Sequence, residues 1–136
     1  KNKNKLFFKN NIKENNNQEN NKLYNFNLKT IPLFSISFIL PYLIFDNYDN
    51  EFYKNLENIS INFSYMFQIC DDFEDYKKDK ENNLNNHIII FGKENTINIF
   101  KKSRENYINL LKLCNINNKF FNDLLTYLNN KFSKYF

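Results

Sequence analysis

At 136 residues the chain is long enough for one domain with a hydrophobic core, and its 42% apolar content is enough to fill one. Thirty Asn, eighteen Lys and sixteen Phe stand beside a single Gly, a single Arg and no Ala, Val or Trp. AT-rich codons produce this mixture, so the formal net charge of +4 reflects codon bias, and scattered lysines argue against nucleic-acid binding.

Residues 1–22 form an Asn/Lys/Glu tract with little to bury and are expected to be disordered, with a helical portion over 23–136. The first residue is Lys and no apolar core of signal-peptide length follows it, so a piece of a longer chain is expected. The longest apolar run, "IPLFSISFILPYLIF" from Ile31 to Phe45, falls short of the roughly twenty residues of a transmembrane helix. It predicts a buried helix over about Leu28 to Phe45. Only Ser35 and Ser37 interrupt its apolar surface, which places it in the middle of a bundle. Pro32 suits its first turn, and Pro41 is expected to kink or end it. "FDNYDNE" makes a connection, with Asn50 as the expected cap of the next helix.

Three further helices are predicted: about Glu51 to Tyr76, about Asn95 to Leu113 and about Lys119 to Phe132. The third carries an apolar stripe of Ile97, Phe100, Tyr107, Ile108 and Leu111, and the fourth one of Phe120, Phe121, Leu124, Leu125 and Leu128. With one Gly and no alternating strand pattern, the fold class is an all-α helical bundle. Cys70 and Cys114 lie in apolar helical patterns without CxxC spacing, which points to buried free thiols in a reducing intracellular compartment.

The second helix carries the chemistry, in "FQICDDFEDYKKD" from Phe67 to Asp79. At about 100° per residue, with Asp71 at zero, Ser64 falls near 20°, Asp75 near 40°, Gln68 near 60° and Asp72 near 100°. Ile59, Phe63, Met66, Cys70 and Phe73 centre on the opposite side, and Phe67, Ile61 and Tyr65 flank the polar stripe. Polar groups bordered by apolar ones suit a cavity wall. Converging carboxylates repel one another unless a cation sits between them, and Mg²⁺ binds through one or two carboxylates plus substrate phosphates. Asp71, Asp72 and Asp75 are therefore candidate metal ligands. The competing reading is a solvated acidic helix end with Lys77, Lys78 and Lys80 as partners, on a helical interaction module.

FQxxDDxxD, with "LKTIPLFSISF" about forty residues upstream, resembles the trans-isoprenyl diphosphate synthases over about residues 23–136. The resemblance implies the C-terminal half of an isoprenoid-synthase-type bundle. It implies that Asp71, Asp72 and Asp75 hold Mg²⁺ and, through it, an allylic diphosphate. It further implies that Lys29 and Thr30 lie at that diphosphate, with lysine neutralising the leaving group, and that Gln68 fixes the polar cluster. In that family the allylic cation is attacked by isopentenyl diphosphate, and a homo- or hetero-dimer is expected.

The sequence also departs from the family pattern. The family's first aspartate-rich motif and its isopentenyl diphosphate site lie upstream of the Lys-Thr pair, and neither is in this sequence. The family's Gly-Lys segment is replaced by "KENNLNNHIIIFGKEN", where His87 is expected to be a solvent-exposed loop residue. Asp79 corresponds to the acid that follows the motif. The alternative is a non-catalytic helical subunit that partners a complete synthase.

Overall fold

The computed structural model describes the backbone of residues 17–45 and 49–135 and the side chains of residues 30–44 and 49–135. Five α-helices are present among the described residues, α1 (Asn17–Phe45), α2 (Asn50–Glu81), α3 (His87–Phe91), α4 (Lys93–Leu113) and α5 (Lys119–Phe132), followed by a 3₁₀ turn over Ser133–Tyr135. No strand occurs among the described residues, so the fold is all-α. No helix among them is long and apolar enough to cross a membrane.

α2 is the centre of the bundle and packs against α1, α3, α4 and α5. Leu56, Ile59, Phe63, Met66, Ile69 and Cys70 recur at helical spacing and are all buried, so one long face holds the core together. The helix starts at Asp49, whose side chain accepts the Phe52 N–H at 2.8 Å. The cap is thus one residue before the expected Asn50, because Asp49 has the extended backbone (φ −79°, ψ 171°) that a capping residue takes. From α4, Phe100, Tyr107 and Leu111 enter the same core. The Phe100 ring stacks on Phe132 of α5 at 3.6 Å between centroids, and the buried Tyr107 hydroxyl donates to the Phe121 carbonyl at 3.2 Å. That bond offsets the cost of burying a phenol oxygen in an apolar core.

α1 runs antiparallel to α2. Phe34 meets Phe63 at 4.8 Å, Tyr42 meets Phe52 at 5.3 Å, and the Ser35 and Ser60 hydroxyls are 2.8 Å apart. Its Phe38 reaches Phe121 of α5 at 5.5 Å. The opposite side is uncovered: Leu33, Ile36, Leu40, Leu43 and Ile44 are between 48% and 64% exposed. α1 therefore lies on the flank and not in the middle of the bundle.

Pro41 does not end α1, which continues to Phe45. A proline removes one bond, here to the Ser37 carbonyl, and Ser37 and Pro41 both face solvent, where water can satisfy that carbonyl. Nor is Pro32 in a first turn, because α1 begins at Asn17. Of the tract 1–22, residues 1–16 lie outside the described residues, and the remainder belongs to α1.

α3 was not predicted. The Asn86 side chain accepts the Ile88 N–H at 2.9 Å and starts it. Gly92, at φ +80° and ψ 159°, ends it and begins α4. This short helix turns its first residue inward, so His87 is 1% exposed and not a solvent-exposed loop residue.

Candidate functional site at the acidic end of α2

The last third of α2 carries Asp71, Asp72, Glu74, Asp75 and Asp79, and the neighbouring helices sort them into separate environments. Asp71 and Glu74 point to α5, where Lys131 Nζ lies 2.7 Å from Asp71 Oδ1 and 2.9 Å from Glu74 Oε2. Asp72, about 100° further round the helix, points to α3. Asp75 is exposed on the intervening face.

Asp72 is buried, and its Oδ2 accepts the His87 backbone N–H at 2.7 Å and lies 2.6 Å from His87 Nδ1. A carboxylate only accepts, so Nδ1 carries the hydrogen in this contact. The Asn86 amide completes the lock, donating to the Asp72 carbonyl at 2.8 Å and to Asp79 Oδ2 at 2.9 Å. Asp79 thus serves to hold Asn86. Together these contacts seat α3 on α2 and take up both Asp72 oxygen types, backbone and side chain.

Lys131 has only 12% of its side chain exposed and stands 5.6 Å from the centroid of the Phe67 ring. Burial opposes its charge, but hydrogen bonds to Asp71 and Glu74 and their negative fields outweigh that effect, leaving the ammonium above the ordinary lysine range. The cation among these acids is therefore supplied by α5 and not by Lys77, Lys78 or Lys80 of the same helix. On the other side of Asp71, burial pushes the Cys70 thiol up to about 12 against the pull of Lys131, and its Sγ lies 3.7 Å from the Leu128 carbonyl. Such a thiol is inert at neutral pH. Cys70 and the half-buried Cys114 are both free, as their spacing predicts.

Gln68 lies one turn before Asp71, and its Oε1 is buried with no hydrogen-bond donor among the described residues. Helix register places the Lys-Thr pair nearby. Contacts of Tyr42 with Phe52, Ser35 with Ser60 and Phe34 with Phe67 advance in opposite directions along α1 and α2. Continued by one turn, they bring Thr30 level with the stretch from Ser64 to Asp71. The Thr30 side chain is half-buried, and that of Lys29 lies outside the described residues.

The expected three-aspartate cage is not assembled. Among the described residues no group of three or more His, Cys, Asp or Glu converges as metal ligands. Asp72 is the reason, since its carboxylate is committed to His87. Asp71 and Asp75 remain, four residues apart on one face, with the Asp71 side chain 41% exposed. Two carboxylates fit the usual protein share of a Mg²⁺ site, whose other positions go to water and phosphate. Sequence reasoning missed Glu74, Asn86 and Lys131. Asn86, directly ahead of "HIIIF", had the form of a helix cap, whereas nothing local ties Lys131 to acids sixty positions earlier.

No protein-family model, no curated protein and no solved structure matches the chain.

Proposed function

We propose that this chain is the C-terminal half of a trans-isoprenyl diphosphate synthase, serving the Mg²⁺-dependent condensation of an allylic diphosphate with isopentenyl diphosphate. One observation carries the reading. The antiparallel pairing of α1 with α2 brings Lys29 and Thr30, midway along α1, level with Gln68 and Asp71, so the two stretches that resemble the family lie side by side on one helix pair. In this reading Asp71 and Asp75 hold Mg²⁺, which stabilises the departing diphosphate when bound. Lys29 neutralises the leaving group, and the buried Gln68 Oε1 is free to accept a hydrogen bond in that polar cluster. The rings of Phe34, Phe63 and Phe67, within 4.8 to 6.4 Å of one another, keep water from an allylic cation. Asp72 has a positioning role through His87.

The test supplies the chain with the N-terminal half that the resemblance implies and measures Mg²⁺-dependent binding of an allylic bisphosphonate. Binding is expected, and it should be lost in Asp71→Ala and weakened in Asp75→Ala; binding indifferent to both substitutions removes the catalytic reading. The 136-residue chain alone is expected to give no condensation of labelled isopentenyl diphosphate. A second reading, a non-catalytic helical subunit of a complete synthase, draws support from the Asp72–His87 lock and the uncovered side of α1. It predicts complex formation without bisphosphonate binding by this chain's own aspartates.

A further inference from the structure

Lys131 reaches sixty positions back along the chain to Asp71, and its attachment is not a loose surface contact. Its ammonium stands over the Phe67 ring and is shared by two carboxylates. Its neighbours fix it further: Phe132 meets Phe73 edge-on at 5.8 Å, and Tyr135 stacks on the same ring at 5.2 Å. The end of α5 is thus fastened to the acidic end of α2 by one cation and two rings. We propose that Lys131 is a built-in competitor for the divalent cation at Asp71, so that metal loading and docking of the last turn of α5 oppose one another.

This inference rests on the metal reading of Asp71 and Asp75 and adds a regulation of that site. The physical reason is direct. Asp71 Oδ1 already accepts from an ammonium at 2.7 Å, and a dication on the same carboxylate would stand within a few ångströms of that positive charge. Even with water's screening, a +1 and a +2 charge about 5 Å apart repel enough to change an affinity about tenfold. Loading therefore favours withdrawal of Lys131, with Glu74 left as its alternative partner. Linkage makes the effect reciprocal: the factor by which docked Lys131 weakens the metal is the factor by which the metal weakens docking. In the assembled enzyme, the last turn of α5 and the following 3₁₀ turn would loosen as the site fills and close again as it empties.

The experiment is a calorimetric Mg²⁺ titration of the full chain, wild type against Lys131→Gln, which keeps a polar side chain of similar reach without the charge. Lys131→Gln is expected to bind Mg²⁺ about tenfold more tightly. Asp71→Asn in that background should abolish the gain. Amide exchange of the wild type supplies a readout that needs no substitution, with saturating Mg²⁺ expected to speed exchange over residues 129–135. Equal Mg²⁺ affinity in wild type and Lys131→Gln, with unchanged exchange at the end of α5, overturns the competition and leaves the metal reading standing. Absence of Mg²⁺ binding in both proteins overturns the metal reading and the competition together.

Discussion

α1 and α5 flank the same central helix and differ in what they turn away from it. α5 presents Asn122, Asp123, Thr126 and Asn130 to solvent, with Phe120 and Tyr127 as apolar exceptions, and sends Phe121, Leu128 and Phe132 inward. It is a finished edge. α1 sends Phe34 and Phe38 inward but turns Leu33, Ile36, Leu40, Leu43 and Ile44 outward. An amphipathic helix can end a bundle, whereas one that is apolar all round leaves a face suited to a further layer.

Three variants bear on that contrast. The largest effect is expected from Leu128→Ala, where a fully buried side chain between α5 and α2 is replaced by a cavity. A loss of about 3 kcal/mol is expected, read from the urea midpoint; a loss well under 1 kcal/mol would mean that α5 is not the closed edge described. Asp72→Ala comes next. It removes the acceptor for both the His87 backbone N–H and Nδ1–H in a buried site, at a cost of about 2 kcal/mol. Thermal melting gives the magnitude, and amide exchange at His87 and Ile88 localises it; protection unchanged there would separate α3 from the lock. The smallest effect on stability belongs to Ile36→Lys with Leu40→Lys on the outward side of α1. Stability should move by no more than about 0.5 kcal/mol. Self-association, followed by light scattering at fixed concentration, should fall, and undiminished scattering would place the adhesive surface elsewhere.

Legibility in the sequence followed the same division. α5 spans Lys119–Phe132 as predicted, because five apolar residues at helical spacing mark it; the cap, Asn118, comes from the structure. α4 started two residues earlier than predicted, and α2 ran five residues further, to Glu81, since Lys77 to Glu81 carry no apolar periodicity to mark a helix. α1 was harder still. Apolar residues on every side give no direction, so nothing in that stretch said which side faces the core, and its polar beginning at Asn17 falls in the tract expected to be disordered. At the candidate site the angular positions along α2 were legible, but the partners were not. Asp71 and Asp72 are adjacent in sequence and go to different helices, one to a lysine on α5 and the other to a histidine in a five-residue helix too short to show a period.

Gly92 has a meaning that reaches back to the codon bias of the chain. Asn83 and Asn115 take φ values of +51° and +54°, so these left-handed positions are filled by the residue that tolerates them best after glycine and that AT-rich codons readily supply. Asparagine cannot make that exchange at Gly92. With φ +80° and ψ 159°, this junction lies in a region of backbone space that is essentially closed to any side chain, although a β-carbon there would meet no atom within 4 Å. The sole glycine of the chain thus stands where the genetic code's cheapest substitute fails on conformation alone, and the angle between α3 and α4 depends on a single hydrogen atom in place of a β-carbon.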